Sequence, residues 1–251
     1  MTSKEELNKL IDELKHKNAK NRLEASKKLE ELGEEAIDPL VTLLHDESDA
    51  IRRIAAFTLG KIQSDRSIDP LVEALGDVSV DVRKTSAQAL NRIGAPAVKS
   101  LVRALSHYEK NVRASAVMAL GKIGEAAIDD LIKTFYSDVK DARASAVWAL
   151  EKIGPASIPK VLEVIYSDIK DVRECSYWTL SRLGKPALEE LAKFWNLEII
   201  EDDKEPENNA QINIDKLLAE GSDKIKQWIK YMAELKKPNQ DPPTNENISP
   251  N

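Results

Sequence analysis

The sequence predicts an all-α fold, an α-solenoid in which short helix pairs stack one on the next. Three observations predict it. Arginines at positions 22, 52, 83, 113, 143 and 173 recur at spacings of 30, 31, 30, 30 and 30 residues. The text around them repeats: from Arg113 the chain reads Arg-Ala-Ser-Ala-Val-Met-Ala-Leu-Gly-Lys-Ile-Gly, and from Arg143 it reads Arg-Ala-Ser-Ala-Val-Trp-Ala-Leu-Glu-Lys-Ile-Gly. Within each period the apolar residues fall at helical spacing. A repeat of this length cannot bury its apolar face alone, so neighbours stack to make a continuous core. A chain built this way supplies a long surface, and its usual work is holding another molecule.

The elements follow in order. Residues 3–33 keep the apolar rhythm (Leu7, Leu10, Ile11, Leu14, then Leu23, Leu29, Leu32) among Lys and Glu, the polar exterior a terminal cap needs. Full repeats are expected at about 34–63, 64–94, 95–124, 125–154 and 155–184. In the 95–124 repeat the first helix is expected over Pro96 to Ser106, with Val98, Leu101, Val102 and Leu105 on one face. The second is expected from about Asn111 to Ile123, with Val112, Ala116, Leu120 and Ile123 spaced i, i+4, i+8 and i+11, a helical and not a strand period. Gly94, Gly124, Gly154 and Gly184 fit the position after a helix, where the left-handed conformation favours glycine. Pro96, Pro155 and Pro186 follow, suited to the first turn of the next helix. Small residues at Ala25, Ala55, Ser86, Ala116, Ala146 and Ser176 allow helices to approach closely. A last helix of the first type is expected over 186–196, ending the 1–196 solenoid. Then come an acidic linker over 197–211 and a helical cap over 212–237. The cap is centred on 222–236, with Ile225, Trp228, Ile229, Met232 and Leu235 in one stripe; a Pro/Asn-rich disordered tail fills 238–251.

Composition narrows the class. The 251 residues are 42% hydrophobic and 32% charged, with a net charge of −6. After Trp195 there are 7 Lys/Arg against 12 Asp/Glu, which leaves −1 on residues 1–195. The repeats are therefore nearly neutral, without the basic footprint first expected of a nucleic-acid binder. The opening Met-Thr-Ser-Lys-Glu-Glu has no apolar stretch of the signal-peptide kind. No apolar run approaches the roughly 18 residues a membrane span needs. A soluble, cytoplasmic protein without membrane contact is expected. Cys175 is the only cysteine, which excludes an internal disulfide.

The Val/Ala-Arg pair followed by Ala/Ser-x-x-x-Leu-x-x-Ile/Leu-Gly, repeated through Leu183-Gly184, resembles the HEAT repeat. The closest form is the short repeat of phycobilisome-lyase-like proteins, and the likeness covers roughly residues 3–195. Pro39 and Pro70 match a proline that the family often places in its first helix. The resemblance implies a right-handed α-solenoid of about six helix pairs plus a C-terminal helical extension. It also implies that the second helix of each pair lines a concave face, where the ligand sits. The aspartate that commonly begins the inter-helix turn is present as Asp46 and Asp77, but later repeats have His107, Ser137 and Ser167. An Asp–Arg ladder is therefore expected to be incomplete in the second half.

The second helices carry the candidate site. Position 118 lies roughly 150° from the apolar centre of its helix, and positions 111, 115 and 122 share its face. Read through the repeats, these positions give three rows. The acidic row (Asp81, Asn111, Asp141, Asp171) stands where an N-cap belongs, and helix ends alone account for it. The basic row (Lys61, Arg92, Lys122, Lys152, Arg182) stands in last turns, where a cation offsets the macrodipole. The apolar row (Phe57, Met118, Trp148, Trp178) occupies non-core positions, as a contact surface would. Packing of these residues on each other or under the C-terminal segment is the alternative use of that row. The candidate partner-binding residues are Phe57, Lys61, Arg92, Met118, Lys122, Trp148, Lys152, Trp178 and Arg182.

The expected function is a non-catalytic scaffold binding a protein or peptide on this face, the basic row favouring acidic segments such as the chain's own 201–207. The alternative is nucleic-acid binding along the basic row, with phosphate contacts and base stacking. Against it stand the neutral repeats and the adjacent acidic row. Phycobilin lyases share the repeat type, so chromophore handling is a third reading, with no specific residue behind it. No catalytic, cofactor or metal site is expected. His16, His45 and His107 are never followed by Glu, as HEAT-type hydroxylases require, and no zinc cluster or phosphate loop is present. Cys175 replaces Ser115 and Ser145 at one repeat position and is expected to be an inert surface residue.

Overall fold

The structure, a computed structural model, describes residues 4–194 apart from Lys17. The expected linker, C-terminal cap and tail lie outside the described residues. The described residues divide between Ala127 and Ile128 into two compact units. The first contains α1 (Lys4–Leu14), α2 (Ala19–Leu32), α3 (Ile37–Leu43), α4 (Asp49–Ile62), α5 (Ile68–Glu73), α6 (Val80–Ile93), α7 (Val98–Ala104) and α8 (Lys110–Ile123). The second contains α9 (Ile128–Thr134), α10 (Lys140–Ile153), α11 (Ile158–Glu163), α12 (Lys170–Leu183) and α13 (Lys185–Phe194). No strand occurs among the described residues.

Both units are two-layered α-solenoid segments. In the first, α2, α4, α6 and α8 pack side by side in one layer, and the short first helices cover them, α3 on α4, α5 on α6 and α7 on α8. In the second, α10 and α12 pair laterally, while α9, α11 and α13 form the other layer. The first helices are shorter than expected. Where the sequence suggested a helix from Pro96 to Ser106, the backbone makes a 3₁₀ turn over Ala95–Ala97, and the α-helix begins at Val98. The same tight turn precedes the α-helix at Gly33–Ala36, Asp65–Ser67, Gly124–Ala127 and Pro155–Ser157. Pro96 and Pro155 sit inside these turns, where no N–H is needed.

The periodic arginine explains itself in the turn between the helices of a pair. Arg83 Nη1 donates to the carbonyls of Asp77 (2.7 Å) and Val78 (3.1 Å). Arg52 does the same to Asp46 and Glu47, Arg113 to His107 and Tyr108, and Arg173 to Ser167 and Asp168. Arg22 reaches the carbonyl of His16, and Arg143 that of Ser137. These carbonyls follow the end of a first helix and lack intrahelical partners, so a fixed cationic fork satisfies them where the helix dipole is negative.

The residue that begins the turn has a second duty. Asp46 and Asp77 accept from the N–H two residues on, and so do Ser137 and Ser167 through Oγ and His16 and His107 through Nδ1. The later replacements of aspartate therefore keep the turn. They do not keep the charged rung. Arg52 grips Asp77 with Nε at 2.6 Å and Nη2 at 2.8 Å. Burial pushes the Asp77 carboxyl up, but Arg52 and the Ser79 N–H together hold it below the usual carboxylate range. In the second unit Arg143 pairs instead with Asp171, at 2.9 Å.

Asp81, Asn111, Asp141 and Asp171 are not N-caps. The N-cap residues are Ser79, Glu109, Val139 and Ile169, and the row falls on the second helical residue. The glycines after the second helices also depart from expectation in detail. Gly94, Gly124 and Gly154 have φ of 78°, 79° and 87° with ψ of −136°, −137° and −152°. That is positive φ but extended ψ, a region essentially closed to other residues. Gln63, at the equivalent place after α4, adopts the left-handed conformation and fastens itself through Nε2 to the Arg92 carbonyl.

Ala25, Ala55, Ser86, Ala116, Ala146 and Ser176 are all fully buried in the layer of second helices. A close approach lies beside them: a Cβ on Gly60 would stand 2.5 Å from Ala89 Cβ and 2.6 Å from its Cα. Helix propensity alone would make Gly60→Ala stabilising by about 0.5–1 kcal/mol. Overpacking of α4 on α6 reverses the sign, and a net loss of about 1–3 kcal/mol is expected in urea unfolding. Unchanged or raised stability would contradict the close approach. Arg83→Gln should cost about 1.5–3 kcal/mol in the same assay, because turn carbonyls lose a charged donor.

Candidate functional site

The second helices present their 118-type positions to solvent in both units. In the first unit Met118 is 38% exposed, and Phe57 is half-buried beneath Arg92, whose Cζ lies 5.1 Å from the ring centroid. Lys61 pairs with Glu30 on α2 at 3.8 Å, and Lys122 is exposed. In the second unit Trp148 on α10 and Trp178 on α12 are both half-exposed and line one cleft, while Lys152 stands exposed beyond it.

The α10–α12 cleft is open to solvent at its mouth. Its floor is apolar, made by Ala144, Val147, Trp148, Cys175 and Trp178, and Lys140, Arg143, Asp171, Glu174 and Arg182 stand around it. The α10 contributors recur at i, i+3, i+4, i+7 and i+8, a single helical face. Arg182 lies flat on Trp148, with Cζ 3.6 Å from the ring centroid. Its Nε and Nη2 are held by the Glu151 carboxylate at 2.5 and 3.1 Å. The cation–π contact and the fork fix each other, so Trp148 and Arg182 form a preorganised wall.

The structure thus brings Trp148, Trp178 and Arg182 together, and separately Phe57 and Arg92. The basic row is not a line of free cations. Lys61 and Arg182 reach back to Glu30 and Glu151, which occupy the same repeat position; in the repeat before Arg92 that position is Gly60, and Arg92 folds onto Phe57. That position reads Glu30, Gly60, Asn91, Gly121 and Glu151 through the repeats, so a carboxylate behind Lys61 and Arg182 alone was readable in the sequence. Arg143, Asp171, Glu174 and Lys140 were not singled out as binding residues, because their contribution depends on how α10 lies against α12.

The expected floor narrows in the second unit. Ser145 and Cys175 are buried. Cys175 is therefore not a surface residue, and burial pushes its thiol up to about 12. Among the described residues no group of three His, Cys, Asp or Glu is placed to hold a metal. No helix among them is long and apolar enough to cross a membrane.

A family model for HEAT repeats matches residues 7–91 and 69–151. Among solved structures, the chain is similar to the archaeal HEAT-like repeats protein from Thermococcus onnurineus NA1, with 16% identity over 94% of this chain and 97% of that one and a TM-score of 0.39. It is also similar to the complex of CpcE and CpcF of phycocyanin lyase from Nostoc sp. PCC7120, with 21% identity over 69% and 96% of the two chains and a TM-score of 0.36. A designed armadillo repeat protein in complex with the peptide (KR)4 shows 21% identity over 71% and 100%, with a TM-score of 0.34. No curated protein sequence matches.

A thiol whose pKa is raised stays protonated and unreactive below it. The native chain should resist iodoacetamide at about pH 8 and take up one equivalent once unfolded, as read by intact mass. Rapid labelling of the native chain would show that Cys175 is not shielded.

Proposed function

The chain belongs to the HEAT-repeat family, and from that membership we propose that it is a non-catalytic interaction scaffold that binds a protein or peptide on the face of its second helices. The observation that carries the reading is the α10–α12 cleft. Two half-exposed tryptophans on neighbouring helices, one backed by a fixed arginine, make the aromatic and arginine mixture that dominates binding energy at protein interfaces. An apolar floor ringed by charged groups is also the anatomy of such an interface, with an apolar centre and a polar rim. Phe57 with Arg92, Lys61, Met118 and Lys122 offer further contacts on the first unit, and Lys152 extends the rim of the second.

Nucleic acid is the less favoured ligand. Phosphate binding draws on cations that can release their counterions. Here Lys61 and Arg182 already carry carboxylate partners, and Arg92 lies on an aromatic face. The chromophore-handling reading finds no residue in the cleft that demands it.

The test is affinity capture from native lysate with wild type and with the Trp148→Ala/Trp178→Ala double variant, followed by titration of the captured protein in purified form. The variant is expected to weaken binding by roughly thirtyfold or more, the loss of a hot spot, with unchanged circular dichroism. Equal affinity of the two would remove the cleft from the interface, and capture of nucleic acid alone would overturn the reading.

A further inference from the structure

The cleft's charges specify a ligand more closely than the fold does, and this step rests on the peptide-binding reading above. Each carboxylate in or behind the cleft is already engaged: Asp171 by Arg143 at 2.9 Å, Glu174 by Lys170 at 3.5 Å and Glu151 by Arg182 at 2.5 Å. Arg143 and Arg182 are spent in those pairs. Lys140 is the cleft cation that forms no ion pair among the described residues, and its side chain is exposed at the first residue of α10. The cleft therefore keeps one uncompensated positive charge at one end. Its other end is the apolar tryptophan pair.

The distance between the two ends follows from the helix. Lys140 and Trp148 are eight residues apart on one face of α10, a rise of about 12 Å. An extended peptide advances about 3.3–3.6 Å per residue, so three or four residues span that rise. We propose that the α10–α12 cleft is a docking site for a linear peptide segment that places a carboxylate at Lys140 and, three or four residues away, a large apolar side chain between Trp148 and Trp178.

A basic peptide is disfavoured because each carboxylate it could reach, Asp171, Glu174 or Glu151, already holds a cation. A purely apolar segment would leave the Lys140 end uncompensated and select nothing at that position. Arg182 enters as a positioning residue: stacked on Trp148 and locked by Glu151, it holds the indole as a fixed wall for the apolar side chain.

The experiment is selection of random linear peptides of about ten residues, long enough to exceed the cleft, displayed on phage against the full chain. Parallel selections use Lys140→Glu and Trp178→Ala, each checked by circular dichroism. The expected wild-type consensus is Asp or Glu three or four positions from Leu, Phe or Trp. Lys140→Glu should replace the acid with Lys or Arg in the consensus. A labelled wild-type consensus peptide should bind Lys140→Glu about fivefold more weakly, the scale of one exposed ion pair. A wild-type consensus without an acid, or one unchanged by Lys140→Glu, overturns this ligand chemistry and leaves peptide binding standing. Peptides enriched equally by wild type and Trp178→Ala overturn the docking site itself, and with it the reading on which it rests.

Discussion

An arginine fork on the turn carbonyls sets the geometry on which the rest of each unit depends. The first helix of a pair ends in carbonyls without partners, and the next helix must leave that point at a defined angle. Arg83 and its counterparts sit one turn into the second helix and donate back to those carbonyls. The helix is thereby tied to the turn that launches it, and its rotation about its own axis is fixed. Lysine would offer one mobile ammonium, whereas the guanidinium presents planar donors that can bind two carbonyls and still reach a carboxylate, as Arg52 does with Asp77. A common rotation is why the same repeat positions meet solvent in each second helix and why rows exist at all.

With rotation fixed, side-chain size sets how closely second helices approach. Fully buried alanines and serines line the contacts within each unit, and Gly60 against Ala89 marks a contact where even a methyl group is excess. Close lateral packing then decides which neighbouring positions survive as surface. Ser145 and Cys175 are covered, but the larger Trp148 and Trp178 extend past the contact and remain half-exposed. The cleft follows from tight small-residue packing with large residues placed beside it.

The fold was legible in the sequence because it rests on periodic features that need no partner to be recognised. The arginine spacing, the apolar positions of each helix and the glycines after them are local signals. Details that depend on two groups competing for one atom were less legible. Asp81 and Asp171 sit where a cap is plausible, but the helices begin earlier, after Ser79 and Ile169, whose own N–H groups are held by Asp77 and Ser167 in the turn. The basic row read as a charged edge because its partners lie about 31 positions back, at Glu30 and Glu151, on a neighbouring helix. Cys175 read as surface because its spacing is right, and its burial depends on how neighbouring helices pack around α12.

Internal pairing of charge has a consequence for recognition. A row of free cations would attract any polyanion, with affinity falling steeply in salt and little selectivity. On this face the tied cations act mainly as structure: Arg182 stiffens Trp148, and Lys61 joins α4 to α2. A partner gains little by approaching them, since displacing Glu151 from Arg182 would leave a partly buried carboxylate unpaired and Trp148 unsupported. What remains available to a ligand in the cleft is desolvation of the indole surfaces and the charge at Lys140, with Lys152 exposed beyond it. Affinity on such a surface comes from shape and apolar burial, and charge sets the register in which the ligand lies.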